Sequence, residues 1–202
     1  IQDGCVQIAF MIITIIANSR GLNDAAAVGI VEKMVTAIFI IPSTMLATVS
    51  ALSAQNIGAK NYGRARTVLK YAVMITTLYG IIVTLIVECA APTLLGLFTK
   101  DTTVILLGVQ YISSYIIDTI FAGIHFGFSG YFAADGKSYI GFIHNIISIS
   151  LVRVPGSYIA SIMYPHNLFP MGLAAPLGSL LSVIICLIAY CILKKKDELS
   201  VL

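Results

Sequence analysis

The stretch VLKYAVMITTLYGIIVTLIVECAAPTLL, residues 68–95, decides the fold class of this chain. It is longer than the roughly 20 apolar residues that cross a bilayer as a helix rising 1.5 Å per residue. The rest of the chain has the same character, since 58% of its 202 residues are hydrophobic and 10% are charged. A soluble domain has about 25% charged residues and a core too small for this much apolar surface. The composition therefore predicts a membrane protein.

Five further apolar runs occur at residues 1–18, 29–54, 103–132, 139–164 and 171–193. The connectors between them are short and rich in turn residues, so consecutive helices should be antiparallel. The sequence thus predicts an all-α, polytopic membrane protein with six transmembrane helices in an up-down bundle. The first run is the shortest and the chain begins at Ile1. We therefore expect a truncated first helix and a longer parent protein.

Charge and cysteine usage exclude several kinds of partner. The formal net charge is only +3, and the basic residues cluster between apolar runs instead of forming a face that could track phosphates. Nucleic acid is therefore excluded as a partner. The four cysteines, Cys5, Cys89, Cys186 and Cys191, lie in apolar runs without a CxxC pair. Their spacing indicates packing residues, so no metal and no bound cofactor are expected.

The basic residues also predict an orientation, because short cytoplasmic loops retain Lys and Arg. One side of the predicted bundle carries eight of them: Lys60, Arg64, Arg66, Lys70, Lys137, Lys194, Lys195 and Lys196. The other side carries Arg20 and Lys100. The loop at residues 55–66 and the C-terminus should therefore be cytoplasmic.

Helix breakers and small residues lie within the predicted spans. Pro42, Pro155 and Pro176 should kink their helices, because proline removes a backbone hydrogen bond that lipid cannot replace. Small residues four apart, such as Gly123 and Gly127, should let helices approach closely. A second series comprises Ala174, Gly178 and Ser182. Packing alone would explain any single glycine, whereas several prolines together favour helices that bend in function.

Asp118 lies near the middle of the fourth predicted span, where an ionised side chain costs about 2.5–3.5 kcal/mol on insertion scales. Helical spacings of three or four residues connect it with Tyr111, Ser114, Ala122 and His125, which would give one polar stripe. The stripe predicts a proton or cation site facing a cavity. The alternative is a structural aspartate bonded to a neighbouring helix.

Arg153, in the fifth predicted span, should pair with an acidic residue or hold a broken helix. His144 is a further polar residue at bilayer depth. Glu32, Lys33 and Glu88 lie near span ends, so we expect their side chains to reach the membrane interface.

An enzyme is the competing class of function. Residues 127–130 read GFSG, which resembles the nucleophile motif of rhomboid intramembrane proteases. That chemistry needs a histidine base beside Ser129. Rhomboids supply it from the last helix, and the sixth run here contains no histidine. The charge rule also puts Ser129 near the cytoplasmic end, so we expect no enzymatic activity.

The segment IPSTMLATVSALSAQNIGAKNYGRAR, residues 41–66, resembles the multidrug and toxic compound extrusion (MATE) family. The resemblance is carried by Ala54, Gln55, Asn56, Gly58, Ala59 and Arg64. It extends to AADGKS at 133–138 and to the RVP of residues 153–155. Residues 1–202 would then be the second six-helix lobe of a twelve-helix transporter. We expect the motif loop to anchor the topology and cap helices.

The resemblance implies export of drugs or organic cations across the plasma membrane in exchange for Na⁺ or H⁺, by alternating access with an N-terminal lobe. Some family members have a glutamate where this chain reads Cys5, Val6 and Gln7. Their aspartate in the fourth helix would fall near Ala122 or Gly123, a turn beyond Asp118. The coupling ion therefore stays open. A flippase for lipid-linked precursors, from the same superfamily, is the alternative.

Labelling from outside the cell tests the predicted orientation. In a variant whose native cysteines are replaced, Asn61→Cys should resist a membrane-impermeant maleimide in intact cells and react after permeabilisation. Efficient labelling in intact cells would show that the loop is extracellular.

Overall fold

The computed structural model describes the backbone of residues 2–199 and the side chains of residues 7–194. This part of the chain contains nine α-helices and no strand: α1 Gln2–Arg20, α2 Leu22–Ile38, α3 Ile40–Gly58, α4 Tyr62–Gly96, α5 Thr102–Tyr115, α6 Asp118–Ala134, α7 Ser138–Ser148, α8 Val154–Met163 and α9 Phe169–Leu199. A single π-helical turn, Ile149–Arg153, joins α7 to α8. The side chains of Cys5, Val6, Lys195 and Lys196 lie outside the described residues. The all-α fold class is confirmed.

Four stretches of helix are long and apolar enough to cross a membrane: Leu22–Gly58, Tyr62–Gly96, Ser138–Met163 and Phe169–Lys194. The first and the third contain a local irregularity, at Phe39 and at the π-helical turn. The pair α5 and α6 is long and apolar enough when taken together, with a bend of 42° at its break. The part of α1 with described side chains, Gln7–Arg20, is also apolar. Four of the six predicted spans are thus present as long apolar helices, and the fourth predicted span is the bent pair.

The predicted connectors are longer than the observed ones. The connector between the first two apolar runs shrinks to Gly21, whose φ of 133° suits glycine alone. The loop predicted at 55–66 shrinks to residues 59–61, because α3 continues to Gly58 and Asn61 caps α4. The Asn61 side chain accepts a hydrogen bond from the backbone N–H of Arg64 at 3.2 Å. Most of the polar residues predicted to form this loop therefore belong to the end of α3 or the start of α4.

Proline acts differently at its three predicted kinks. Pro42 cannot donate to the carbonyl of Ile38, and the Tyr79 hydroxyl donates to that oxygen at 2.9 Å. The helix is interrupted beside it, at Phe39. Pro155 follows the π-helical turn, so an irregular backbone is confirmed there. Pro176 lies inside α9, which continues through it, and the kink predicted there stays a prediction.

Two apolar clusters occupy opposite ends of the bundle. One contains Ile13, Val28, Ile112 and Leu168, near the connectors at residues 21 and 164–168. The other contains Val49, Leu69, Phe132 and Cys186, near the connectors at residues 59–61 and 135–137. Between them lies a layer of buried polar side chains, which includes Asp118, His125, His144, Ser148, Ser179 and Ser182. The fold therefore confines its polar chemistry to the middle of the bundle.

Glycine sets the closeness of α6 to its neighbours. A Cβ at Gly123 would lie 2.6 Å from the Cβ of Thr76, and one at Gly130 would lie 2.4 Å from the backbone oxygen of Leu46. Close approach is thus confirmed at Gly123. A Cβ at Gly127 would be in ordinary contact with Val73, at 3.5 Å. The backbones of α3 and α6 touch because Gly130 carries no side chain, and Gly123 lets α6 approach α4 for the same reason.

Gly130→Ala should destabilise the protein by about 1–3 kcal/mol, the usual cost of overpacking, because backbone rather than a flexible side chain would have to move. Gly29→Ala is the matched control, since Gly29 is also helical and a Cβ there would meet nothing within 4 Å. Thermal unfolding in detergent measures both variants. Equal melting temperatures would show that α3 and α6 separate without cost.

Candidate functional site

A cavity of about 300 Å³ opens in the polar layer. Three phenylalanines line it, Phe10 of α1, Phe39 before α3 and Phe126 of α6. Its polar wall includes Asp118, His125, Asn145, Ser148, Arg153, Ser179 and Ser182. A cavity with an aromatic wall and a few buried polar groups is typical of a small-molecule site.

Arg153 is the centre of the polar wall. Its side chain is 11% exposed, and its Nη2 lies 3.9 Å from Oδ2 of the fully buried Asp118. The guanidinium also donates to the hydroxyl of Tyr115. It stacks near two rings, with Cζ 5.1 Å from the Phe10 centroid and 5.4 Å from the Tyr115 centroid. The predicted acidic partner of Arg153 is therefore Asp118, and aromatic faces stabilise the same charge.

The carboxylate of Asp118 can accept further hydrogen bonds. Within the described side chains, neither of its carboxylate oxygens has a partner at hydrogen-bond geometry. Arg153 and Ser179 are close enough to stabilise its charge. A buried carboxylate held by one loose ion pair can take up a further cation or a proton.

The predicted polar stripe is divided by the break between α5 and α6. Asp118 and His125 of α6 line the cavity. Tyr111 of α5 is fully buried beside Tyr115, with ring centroids 5.6 Å apart. The prediction that Ser114 faces the cavity is wrong, because its hydroxyl donates to the backbone oxygen of Phe169 at 2.7 Å. Ser114 ties α5 to α9, since the bend rotates its face away from that of Asp118.

The prediction that Glu32 reaches the membrane interface is also wrong. Its Oε2 accepts a hydrogen bond from the Thr14 hydroxyl of α1 at 3.0 Å, inside the bundle. Lys33 and Glu88 are exposed on the surface of the bundle. Sequence reasoning also missed Phe10 and Tyr115, whose contact with Arg153 joins α1, α5 and the π-helical turn. In the sequence, the only signal for Tyr115 was its spacing of four residues from Tyr111, which puts both on one helix face.

The motif residues lie apart from this cavity. Gln55, Asn56 and Arg64 line a second groove of about 440 Å³, together with Tyr71. Gly58 ends α3, and Ala59 caps it by donating its backbone N–H to the oxygen of Gln55 at 3.2 Å. The segment shapes the connection between α3 and α4, as a capping role requires.

Ser129 has a histidine neighbour that the sequence argument did not find. Its Oγ lies 2.9 Å from Nε2 of His144, on α7 and not on the last helix. The serine is 4% exposed and the histidine 0%, and neither lines the cavity. His144 Nδ1 has no hydrogen-bond partner among the described residues. A nucleophile needs access and an oriented base, so this pair packs α6 against α7.

The side chains at positions 7–194 contain no candidate metal centre. Within that range, no group of three or more His, Cys, Asp or Glu residues is placed to hold a metal ion. Cys186 is buried, whereas Cys89 and Cys191 are exposed.

Sequence comparison gives one family. The family model MatE matches residues 4–159 of the chain. No curated protein matches it.

Solved structures of low sequence identity share the fold. An outward-facing conformation of a multidrug resistance MATE family transporter superposes with a TM-score of 0.87 at 16% identity, covering 96% of this chain and 45% of that one. The Vibrio cholerae MATE transporter VcmN, in its bent form, gives 0.85 at 18%, covering 98% and 45%. A MOP superfamily transporter from Pyrococcus furiosus gives 0.79 at 17%, covering 97% and 43%. The chain thus spans less than half the length of these structures.

A double-mutant cycle tests the pairing of Arg153 with Asp118. Arg153→Met should destabilise the protein by about 3–5 kcal/mol, because it leaves a buried carboxylate without its cation. Adding Asp118→Asn removes that carboxylate and should restore at least about 1 kcal/mol. Thermal unfolding in detergent reads both effects. Simple addition of the two single-mutant losses would show that the residues do not interact.

Proposed function

Because the chain belongs to the MATE family, we propose that it forms one six-helix lobe of a secondary transporter that exports organic cations or drugs. Export would be coupled to Na⁺ or H⁺ across the plasma membrane, with alternating access between this lobe and an N-terminal lobe of the same protein. The cytoplasmic C-terminus predicted from the charge asymmetry belongs to the same proposal.

The cavity beside Asp118 is the observation that carries the substrate class. An organic cation carries delocalised charge on an apolar body. Phe10, Phe39 and Phe126 offer aromatic surface to such a body, and Asp118 offers a carboxylate with free acceptor capacity. Aromatic faces bind cations with about 0.5–2 kcal/mol each. The cavity fits a weakly hydrated cation better than a strongly hydrated one.

The alternative substrate, a lipid-linked precursor, carries phosphate groups. Such a head group requires several cations, and Arg153 is the one basic side chain of Lys or Arg type that lines the described cavity. Its charge is already directed at Asp118. The charge of the cavity therefore favours cationic substrates over anionic lipids.

Helix irregularity supports alternating access. The break between α5 and α6, the π-helical turn and the interruption at Phe39 all lie at or beside the cavity. Backbone hydrogen bonds are already rearranged there, so bending requires fewer of them to break. The two apolar clusters at opposite ends of the bundle would then move as packed units relative to each other, with the polar layer as the hinge.

Asp118→Asn in the full-length protein tests the role of this carboxylate. The substitution keeps the shape and removes the charge, so efflux of ethidium from cells should fall about tenfold or more, equivalent to ~1.4 kcal/mol. Expression and thermal stability should stay near the wild-type values, because the Arg153 guanidinium keeps the Tyr115 hydroxyl and the rings of Phe10 and Tyr115 as partners. Glu88→Gln is the matched control, because Glu88 is an exposed carboxylate on α4 and should leave efflux unchanged.

Two results would contradict the proposal. Unchanged efflux by the Asp118→Asn variant would assign the carboxylate to structure. A collapse of expression with normal efflux per folded molecule would do the same.

A further inference from the structure

Glu32 lies behind the cavity and not in its wall. One of its oxygens is held by Thr14, as described above. The other oxygen, Oε1, is buried and has no hydrogen-bond partner among the described side chains. Such an oxygen loses its hydration without receiving a replacement, which is costly for an ionised carboxylate. The environment of Glu32 therefore has room for one positive charge.

The groups that face Glu32 come from three neighbouring elements. Tyr111 and Tyr115 of α5 interact with it electrostatically, and so does Arg153 of the π-helical turn. Asp118 of α6 interacts with the same three residues. From α1 comes the uncharged Thr14. The guanidinium of Arg153 thus interacts with two carboxylates, those of Glu32 and Asp118.

This count leaves one negative charge unbalanced. If Arg153 neutralises Asp118, Glu32 is the carboxylate without a cation, and the reverse holds if Arg153 turns to Glu32. A buried carboxylate without compensation is strongly destabilising. A second sign of an unfilled site is the Tyr111 hydroxyl, which is fully buried and lacks a hydrogen-bond partner within the described residues.

We propose that Glu32 binds the coupling cation, H⁺ or Na⁺, and that Arg153 makes this binding and substrate binding at Asp118 mutually exclusive. The proposal rests on the proposed function and deepens it. Only Asp118 and Arg153 of these three residues line the cavity, so the substrate meets one carboxylate and the ion meets the other.

The exchange conserves charge at each step. An organic cation that binds at Asp118 replaces Arg153 there. The guanidinium then neutralises Glu32, which releases Na⁺ to water or, as a carboxylic acid, gives its proton to water. Loss of the substrate reverses the sequence. Antiport follows because the two carboxylates together accept one cation besides Arg153.

Ion binding without substrate is the first measurement. In the purified full-length protein, replacing choline with Na⁺ should raise the melting temperature by roughly 2 °C per tenfold excess over the dissociation constant. If the ion is H⁺, lowering the pH should give the rise and Na⁺ should have no effect. Glu32→Gln should abolish whichever rise the wild type shows, and Glu88→Gln should keep it.

Competition with substrate is the second measurement. Equilibrium binding of ethidium to the wild type should weaken about tenfold per unit fall in pH, or per tenfold rise in Na⁺, where one ion is exchanged per substrate. Glu32→Gln should still bind ethidium, with an affinity independent of both. Thr14→Val removes a hydrogen bond that the ionised carboxylate of Glu32 accepts, so it should shift the ion affinity several-fold, toward tighter binding of H⁺. This supplies a second variant should Glu32→Gln fold poorly.

Retention of the wild-type ion dependence by Glu32→Gln would overturn the proposal, and so would an unchanged ion affinity in Thr14→Val if Glu32→Gln does not fold. Failure of the proposed function gives a different result. If the wild type binds no ethidium, the substrate class is wrong, and the melting temperatures in Na⁺ and at low pH still decide whether Glu32 is an ion site.

Discussion

The buried guanidinium of Arg153 constrains most of the surrounding structure. A permanent charge in the interior of a membrane bundle must be met by protein groups, because no bulk water is available to solvate it. Asp118 and Tyr115 supply the polar contacts, and Phe10 supplies a ring face. These partners come from α1, α5 and α6, so the packing of three helices depends on the position of one side chain.

Irregular backbone accompanies this charge. Arg153 ends the π-helical turn, and Asp118 begins α6 directly after the break with α5. Side chains add hydrogen bonds where helices are interrupted: Tyr79 donates to the oxygen of Ile38, and Thr84 donates to that of Ile116 at 3.3 Å. The membrane thus tolerates breaks only where a neighbouring helix offers a donor. Both donors lie on α4, so this long helix stabilises the interrupted backbone on two sides of the polar layer.

The same layer unites the two proposals. A single cavity carboxylate gives a site for an organic cation, and a second carboxylate behind the guanidinium gives a site for the coupling ion. Because the two sites share Arg153, occupation of one changes the charge available to the other. No long pathway is needed between them, since the ion and the substrate would act on opposite sides of one side chain.

The sequence by itself determined the all-α fold class and the long apolar spans, because hydrophobic length is a local property that lipid enforces directly. It also identified Asp118 and Arg153, since a charge inside an apolar run is conspicuous. Tertiary structure alone decided that Ser114 points to α9, that Glu32 lies inside the bundle and that His144 meets Ser129. Each of these depends on a bend or on contacts between helices distant in the chain, and a helical period of 3.6 residues cannot register a 42° break between α5 and α6.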